Sequence, residues 1–509
     1  MSGQVPGIGA ADSKAEVTAP SSERAPLALV KTLAMRLEAE GIVYCHWKSN
    51  EAIDRSESGQ NDLDLLVARR DQDRFTLLLE ELGFLPARVV RSRRVPGISD
   101  YYGLDPDSAL LVHVHAHTRL MVGDDMTKNF HLPLEEAYLA SVFRAGILAI
   151  PRPEFEYLVF VLRMAVKHCP FDAVVMGKGR LTESERRELA YLEGRIDPGQ
   201  LALVRSRELP WLSEESLTRL RRGLDPGAGL WARARVGREV TRVLSRFGRR
   251  GGIVDLILRV GRRLLRRAEA RWWPDHSSKL LGRRGAVVAI VGGDGSGKSS
   301  TVAALSSRLG GPFRVEKAHL GKPPRSLLTR VVRKALTMLG QNSMGSAHPA
   351  WDDFAEGRPG LGFIIGNVLV ARDRMLQGRR IRKAAARGRL IITDRFPLPQ
   401  LVTMDTPRNA RVAQRYPGFA TRVLARLETR FYAGLGSPDV TVVLRVSPEV
   451  ALMRRPEQDA EFVRRRAQEV VETKWDGDAV FVLDADEGRE AVDVNVLRAV
   501  WRGLVRREQ

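Results

Sequence analysis

The segment VVAIVGGDGSGKSST, residues 287–301, combines residue types and a spacing that suit phosphate binding. Gly292, Gly297, Lys298 and Ser299 fit the pattern G-x-x-x-x-G-K-[ST], between an apolar β-branched run and a helical pattern. Glycines let backbone N–H groups turn toward an anion, and the N-terminus of the next helix adds partial positive charge. We expect Lys298 to reach the β- and γ-phosphates and Ser299 to ligate Mg²⁺. The motif therefore predicts binding of ATP with Mg²⁺. The expected nucleotide-binding residues are Gly292, Gly293, Asp294, Gly295, Ser296, Gly297, Lys298, Ser299 and Ser300.

A second candidate group ends a later apolar run, LIITDRF, which places Asp394 and Arg395 at the C-terminal end of a predicted buried strand. A carboxylate at Asp394 can hold the Mg²⁺ shell together with Ser299. The Arg395 guanidinium can grip a second phosphate through paired N–H donors.

A third group is the arginine-dense segment SPDVTVVLRVSPEVALMRRPEQDAEFVRRRAQEV, which predicts a strand, a turn and a helix. Its cations, Arg454, Arg455 and Arg464 to Arg466, predict a mobile lid over the transferring phosphoryl group. Closure of such a lid excludes water and favours transfer over hydrolysis. The predicted catalytic residues are Lys298, Asp394, Arg395, Arg454 and Arg455.

Taken together, these motifs resemble the thymidylate kinase-like nucleoside monophosphate kinases, from about Ala286 to the C-terminus. The resemblance is carried by GGDGSGKSS, TDRF, PDVTVVLRVSPEVALMRR and VFVLDA. It implies an α/β domain with a five-stranded parallel sheet and phosphoryl transfer from Mg-ATP to an acceptor phosphate. It also implies that Asp294 lies near the sugar of the acceptor and that Arg395 binds the acceptor phosphate.

The acceptor itself stays open, because two segments depart from the thymidylate kinase pattern. EKAHLGKPPRS stands where those enzymes carry an Arg-Glu-Pro-Gly-type motif, and PLPQLVTMDTPRN follows Asp-Arg-Phe. With these two departures, the sequence is similar to a divergent branch of this kinase family, found in long bacterial proteins often linked with polysaccharide synthesis. Asp405 and Arg408 are then acceptor-binding candidates, and the acceptor is a nucleotide or another phosphorylated small molecule.

The N-terminal half carries a separate motif, HWKSNEAIDRSESGQNDLDLLVAR, which resembles the nucleotidyltransferase superfamily. Lys48-Ser49 stands where that family has Gly-Ser. Asp62 and Asp64 are two residues apart, so both carboxylates face one side of a strand and suit Mg²⁺ beside a triphosphate. A degenerate small α/β domain that binds nucleotide or sugar without chemistry is the favoured interpretation, and catalysis is the alternative.

Three histidines alternate along the next predicted strand, LLVHVHAHTRL, with His113 where the superfamily has a third carboxylate. Side chains at every second position share one face of a strand. We predict that His113, His115 and His117 form a solvated or hydrogen-bonded face spread along the strand, and a metal site is the alternative.

Apolar β-branched runs at AVVAIVG, LIITDRF, VTVVLRV and AVFVLDA predict parallel strands buried on both faces in the C-terminal half. Mostly helical patterns separate the two α/β regions. The predicted organisation is a disordered tail at 1–26, a nucleotidyltransferase-like domain at 27–150, a helical region and basic connector at 151–283, and a kinase-like domain at 284–509.

Composition and the apolar runs indicate which ligands and which cellular compartment suit the protein. The 509 residues carry a formal charge of +21, which suits polyanions, although the excess of arginine alone does not indicate a specific nucleic-acid partner. Two cysteines suit a reducing cytosol, and no apolar run approaches the ~20 residues of a spanning helix. The N-terminus lacks the apolar core of a signal peptide. These features predict a cytoplasmic protein.

Helix 253–273 is strongly basic and amphipathic. Its apolar face is formed by Ile253, Leu256, Ile257, Val260 and Leu264, and Trp272 and Trp273 end the run. The favoured interpretation is a connector packed on its own protein. The alternative is a helix on an anionic membrane surface. Three wider alternatives stay open, which are a homodimer, an ATP-dependent switch without kinase turnover, and a membrane-peripheral accessory protein of polysaccharide synthesis.

Overall fold

The computed structural model describes residues 25–89, 93–175, 179–272, 279–340 and 359–508. Most of the predicted tail at 1–26 lies outside these residues, as does Trp273.

The N-terminal half is built on a six-stranded mixed sheet in the order β1-β2-β5-β4-β3-β10. Strands β2 and β5 are parallel, and the other neighbours are antiparallel. The first five strands are β1 Tyr44–His46, β2 Leu63–Val67, β3 Leu85–Val89, β4 Ile98–Leu104 and β5 Leu111–His117. The helices among them are α1 Ala28–Ala39, α2 Ile53–Glu57 and α3 Gln72–Glu81. The two predicted strands, around Asp62 to Asp64 and over LLVHVHAHTRL, correspond to β2 and β5.

Two hairpins and a helical region follow. The hairpin strands are β6 Leu120–Val122, β7 Phe130–Leu132, β8 Phe143–Ala145 and β9 Leu148–Ile150, with α4 Glu135–Ala140 between the pairs. The helices are α5 Pro153–His168, α6 Phe171–Val175, α7 Glu183–Glu193, α8 Pro198–Glu208, α9 Glu214–Gly223, α10 Leu230–Leu244 and α11 Gly252–Trp272. Helix α5 is buried along nearly its whole length and shares one apolar core with Trp47 and Leu66 of the sheet region. The helical region therefore packs directly against the N-terminal sheet.

Strand β10, Lys279–Leu281, connects the two halves. It pairs antiparallel with β3 as the edge strand of the N-terminal sheet, although the sequence places it in the predicted connector. Four residues later the chain enters the central strand of the C-terminal sheet. Leu85 and Leu281 belong to the same apolar cluster as Val288 and Trp501 of the C-terminal half. The two sheets thus share a core.

The C-terminal half contains the predicted five-stranded parallel sheet, in the order β12-β13-β11-β14-β15. Its strands are β11 Ala286–Gly292, β12 Val315–His319, β13 Leu390–Asp394, β14 Val440–Arg445 and β15 Val480–Asp484. Its helices are α12 Lys298–Gly310, α13 Leu327–Met338, α14 Leu361–Ala385, α15 Asn409–Arg415, α16 Phe419–Ala433, α17 Pro448–Arg454, α18 Ala460–Glu472 and α19 Arg489–Glu508. Every residue of β11 is buried, as expected for a central strand covered on both faces. Parallel strands bring their carboxyl ends to one edge, where β11 and β13 present the predicted site residues.

Helix α11 is oriented opposite to the expectation that its apolar face packs on the protein. Arg263 is buried and ion-paired with Asp124 and Asp172, and Arg259 lies 3.2 Å from Asp172. Ile257 is instead 65% exposed and Leu264 55% exposed. The carboxylates of the neighbouring elements bind the arginine face of the helix, so the helix is anchored by charge and its apolar stripe faces outward.

Two glycines at mid-helix positions provide a matched stability test. A Cβ at Gly237 in α10 would overlap the carbonyl group of Cys169, whereas a Cβ at Gly261 in α11 meets nothing within 4 Å. We expect Gly237→Ala to destabilise the protein by about 2 kcal/mol or more through backbone overlap. Gly261→Ala should be neutral or stabilising by about 0.5–1 kcal/mol, because alanine favours helix. Urea midpoints from far-UV circular dichroism measure both, and equal effects would contradict the close packing of α10 on α5.

Candidate functional site

The phosphate-binding loop joins β11 to α12 through residues with unusual backbone requirements. Gly295 and Gly297 both have φ of +83°, the left-handed region that favours glycine. A Cβ at Gly295 would lie 2.8 Å from the Ala451 carbonyl oxygen, and one at Gly292 would lie 2.6 Å from that of Leu444. The loop therefore curls tightly between β14 and α17, and glycine is required by space at Gly292, by φ at Gly297 and by both at Gly295.

Lys298 is the first residue of α12 and is buried. Its Nζ donates to the Gly293 carbonyl oxygen at 2.5 Å and to Ser296 Oγ at 3.5 Å. Burial lowers the pKa of Lys298 to about 8, although the nearby Asp294 opposes the shift. The ammonium thus lies inside the loop, where a bound phosphate would replace loop oxygens as its partner.

Ser299 and Asp394 meet at the carboxyl edge of the sheet, as the sequence predicts. Ser299 Oγ donates to Asp394 Oδ2 at 2.9 Å. Asp394 Oδ1 is buried and has no hydrogen-bond partner among the residues that the structure describes. Hydroxyl and carboxylate oxygens are the ligands that Mg²⁺ and its bound waters prefer. This pair of side chains therefore fits a magnesium ion.

Asp294 organises the positive charge around the loop. Its Oδ1 accepts from Arg395 at 3.0 Å and its Oδ2 accepts from Arg466 at 2.7 Å. Burial alone would raise the pKa of Asp294, but Arg466 and Lys298 beside it hold that pKa below its usual value. Arg395 has φ of +58°, so it sits in a strained backbone conformation at the end of β13. One carboxylate thus brings cations from β13 and α18 next to Lys298.

A small cavity beside the loop contains part of the predicted acceptor site. Asp294, Arg395, Asp405 and Arg466 line it. Arg408 is not among the lining residues, and its backbone N–H donates to Glu428 Oε1 at 3.0 Å. The structure therefore brings Asp405 to the loop and places Arg408 behind it.

The predicted lid arginines divide into two groups. Arg466 reaches Asp294, and Arg454 donates to the Gly295 carbonyl oxygen at 3.4 Å. Arg455 forms an exposed ion pair with Glu457, and Arg464 and Arg465 are exposed. Of the α18 arginines, Arg466 thus contacts the loop.

Sequence reasoning missed Arg374, which is buried on α14. Its Nη2 donates to the Gly321 carbonyl oxygen at 2.9 Å, and its guanidinium is ion-paired with Asp405 and bonded to Tyr432. It thereby ties Asp405 to the loop that follows β12. One arginine in an arginine-rich helix carried no motif that would have singled it out.

A second polar cluster lies on the N-terminal sheet, where β2 and β5 pair. His113 Nδ1 lies 2.8 Å from Asp62 Oδ1, and His115 Nδ1 lies 2.9 Å from Asp64 Oδ1. Asp100, a carboxylate that sequence reasoning missed, lies on β4 at 2.9 Å from both His113 Nε2 and Lys279 Nζ. Asp100 thus lies beside His113 on the neighbouring strand, and Lys279 from β10 reaches the Asp100 carboxylate.

The three histidines share one hydrogen-bonded face of β5, as predicted, but two of them converge. His117 Nε2 lies 3.2 Å from His115 Nδ1, and both atoms approach Asp64. The expectation that the histidines do not converge is therefore wrong for His115 and His117, because alternate side chains on one strand face lie close enough for their ring nitrogens to meet. His113 remains apart, paired with Asp62 and Asp100.

Comparisons with known proteins find distant relatives among ATP-binding proteins and thymidylate kinases. No protein-family model matches the chain. An uncharacterized ATP-binding protein of Escherichia coli K12, YghR, is 22% identical over 204 residues, 39% of this chain and 80% of YghR. The thymidylate kinase of Cereibacter sphaeroides is 28% identical over 34% of this chain and 68% of its own length. That of Symbiobacterium thermophilum is 26% identical over 43% of this chain and 94% of its own length. A solved structure, thymidylate kinase from Candida albicans, covers 43% of this chain and 91% of its own at 17% identity and a TM-score of 0.29.

These similarities support a P-loop, kinase-like, ATP-binding region in this chain. Among the described residues, no helix is both long enough and apolar enough to cross a bilayer.

The pKa of Lys298 predicts how ATP affinity depends on pH. Only the protonated ammonium attracts phosphate, and above pH 8 burial favours the neutral form of Lys298 in the free protein. We expect the dissociation constant of Mg-ATP to rise about tenfold between pH 7 and pH 9, since one proton must be taken up on binding. Titration calorimetry at fixed free Mg²⁺ measures this change. Lys298→Arg, which stays protonated, should bind with little pH dependence, and a flat profile for the unmodified protein would contradict the buried state of Lys298.

Proposed function

We propose that the protein transfers the γ-phosphoryl group of Mg-ATP to a nucleotide or another phosphorylated small molecule. The observation that carries this proposal is the convergence of Lys298, Arg395 and Arg466 around the carboxylate of Asp294. Phosphoryl transfer requires little covalent chemistry from the protein, and catalysis consists of positioning and charge stabilisation. Cations from three elements beside one phosphate-binding loop supply both.

Each side chain has a defined part in this proposal. Lys298 binds the β- and γ-phosphates, and Arg466 from α18, held by Asp294, neutralises charge on the transferring group. Arg395 binds the acceptor phosphate. Ser299 and Asp394 would hold Mg²⁺, which offsets the negative charge of the phosphates when bound. Asp294 holds both guanidiniums in place before any ligand arrives.

The acceptor site is proposed to extend from Arg395 to Asp405. Arg374 fixes Asp405 beside the loop, and Arg408 contributes positive charge from behind. The thymidylate kinase relatives favour a nucleoside monophosphate as the acceptor. The loop after β12, LGKPPRS, differs from the pattern of those enzymes, so sugar phosphates belong in the same test.

A substrate panel tests the proposal directly. We expect one class of acceptor to stimulate release of ADP from Mg-ATP at least tenfold over the acceptor-free rate, followed by coupled spectrophotometry. The acceptors are the nucleoside monophosphates and a set of sugar phosphates. Lys298→Ala should lose the stimulation, because removing the ammonium removes transition-state charge stabilisation. Lys334→Ala, an exposed lysine on α13, is the matched control and should behave as the unmodified protein.

The same assay separates the kinase from an ATP-dependent switch. Tight ATP binding with slow turnover that no acceptor accelerates would contradict the kinase and favour the switch. Acceptor-stimulated turnover that survives in Lys298→Ala would place the activity outside this loop.

For the N-terminal half we propose binding of an anionic ligand such as a nucleotide or a sugar phosphate. A cavity of about 610 Å³ lies against the β2–β5 cluster and is lined by cations from several elements. These are Arg88, Arg93, Arg94, Lys128, Arg262, Arg266 and Lys279. Asp62 and His113 lie at its floor. The density of positive charge in a concave site favours a phosphorylated ligand.

A second candidate role is attachment to an anionic membrane surface through α11. The observation that favours it is the outward apolar stripe, in which Ile253 is 77% exposed, Ile257 65% and Leu264 55%. Arg267 and Arg271 follow Leu264 by three and seven residues, so helical spacing puts them on the same side of α11 as the apolar stripe. Both are exposed. Outward apolar residues flanked by arginines suit the boundary between headgroups and acyl chains.

Vesicle binding tests this role. We expect the protein to cosediment with vesicles containing phosphatidylserine and to release as salt rises. Ile257→Glu with Leu264→Glu should abolish binding, and Arg267→Glu with Arg271→Glu should weaken it mainly at low salt. Leu203→Glu is the matched control, because Leu203 is 58% exposed on α8, away from the stripe. Unchanged vesicle binding in the Ile257 and Leu264 double variant would rule out this surface, and a shift from dimer to monomer in that variant would identify a second copy as its partner.

A further inference from the structure

Three side chains on β2 and β5 direct one ligand atom each toward a common point. His115 Nδ1 lies 2.9 Å from Asp64 Oδ1, His117 Nε2 lies 3.2 Å from His115 Nδ1, and the third separation, His117 Nε2 to Asp64 Oδ1, is 3.9 Å. These side chains form the one group of this kind among the described residues. A point equidistant from three atoms at those separations lies about 2.0 Å from each, the length of a Zn–N or Zn–O bond.

Hydrogen bonding does not account for this arrangement. An imidazole nitrogen has one in-plane position, which holds either a proton or a lone pair. If His115 Nδ1 donates to Asp64, it has no lone pair to accept from His117. If it accepts from His117 Nε2, its lone pair faces the carboxylate at 2.9 Å. No placement of protons gives both contacts a linear hydrogen bond, whereas one cation satisfies all three lone pairs.

The surroundings of His117 are consistent with this. The side chain is fully buried and its ring packs against Trp47 at 5.0 Å between centroids. Its Nδ1 has no hydrogen-bond partner among the described residues, so Nε2 is the nitrogen through which His117 acts. Burial and packing against Trp47 therefore fix the orientation of the His117 ring.

We propose that Asp64, His115 and His117 bind one divalent transition-metal ion, with Zn²⁺ as the best match. Two imidazoles and one carboxylate favour zinc, cobalt or nickel over Mg²⁺, which prefers oxygen ligands throughout. The site therefore differs from the magnesium site predicted at Asp62 and Asp64, because Asp62 is paired with His113 and stays outside the cluster.

Three protein ligands leave a coordination position open. His115 lines the basic cavity of about 610 Å³ described above, so the open position faces that cavity. A metal with an open position binds an oxygen of water or of a ligand. The cations around the cavity select an anionic ligand, and a phosphate oxygen is the group that fits both features.

Lys48 is the internal competitor for the metal. Its Nζ lies 2.9 Å from Asp64 Oδ1, the same oxygen that faces the histidines. A carboxylate oxygen has two lone pairs, but an ammonium on the same oxygen repels the metal and competes for its negative charge. The metal is therefore expected to displace Lys48 toward a second cavity, of about 620 Å³, which Lys48 borders together with Arg163 and Glu188.

Metal titration of the full-length chain tests the proposal without ATP or turnover. Protein stripped with a chelator is titrated with Co²⁺, and visible d–d absorption reports coordination by nitrogen and oxygen. We expect one equivalent to bind with saturation and Zn²⁺ to displace it. His115→Ala and His117→Ala should each weaken binding by about 100-fold or more, since even loss of an outer-shell partner costs 10–100-fold.

Matched variants keep the test decisive. His113 lies on the same strand but is paired with Asp62. We expect His113→Ala to bind Co²⁺ within about twofold of the unmodified protein, whereas loss of even an outer-shell partner weakens binding by about 10–100-fold. Lys48→Met should bind more tightly, because it removes the competing ammonium. His115→Asn, at a partly exposed position, replaces His117→Ala if that variant loses its circular dichroism signal. Absence of saturable binding in both the unmodified and Lys48→Met proteins would overturn the site, as would equal loss in His113→Ala and His115→Ala.

Because these readouts use no nucleotide, a failed metal titration leaves the proposed kinase intact. A failed kinase assay likewise leaves the metal site intact.

Discussion

The charge balance at Asp294 is the interaction on which the C-terminal site depends. A buried lysine and two guanidiniums from separate elements would repel one another, and one carboxylate accepts from both arginines. Buried charge is costly unless paired, so Asp294 is required for the apo protein to keep Arg395 and Arg466 near the loop. In the proposed function, an entering phosphate would take the place of that carboxylate as the partner of the cations. The site is thus preorganised by an internal anion that resembles its ligand in charge.

Local patterns predicted the C-terminal fold and loop well. The all-buried strand β11 and the turn at Gly295 and Gly297 are set by residues adjacent in sequence. Ser299 and Asp394 lie 95 residues apart, but each belongs to a recognisable motif at the carboxyl edge of a parallel sheet. Arg374 and Asp100 were missed because neither belongs to such a motif. Which arginine of α18 reaches the loop depends on the pitch and tilt of the helix, which composition does not specify.

Helix α11 shows how amphipathic patterns mislead in a basic chain. The usual expectation assigns the apolar face to the core, since apolar burial drives folding. Here Asp124 and Asp172 lie on the protein surface beneath the helix and pair with Arg259 and Arg263. Sequence reasoning had no means of locating those carboxylates. The negative charge of the neighbouring surface determines the orientation of the helix, and only the tertiary structure reveals that charge.

The contact region between the N-terminal and C-terminal halves, here called the seam, limits how the chain can be divided into fragments. Strand β10 hydrogen-bonds to the N-terminal sheet, yet Leu281 and Trp501 pack in one core with β11. Trp501 also donates from Nε1 to the Gly83 carbonyl oxygen at 3.1 Å, across the seam. Each half therefore has an apolar surface that the other half covers. A fragment that starts at the predicted boundary of 284 would expose that shared core to water, and we expect it to aggregate rather than behave as an autonomous kinase module.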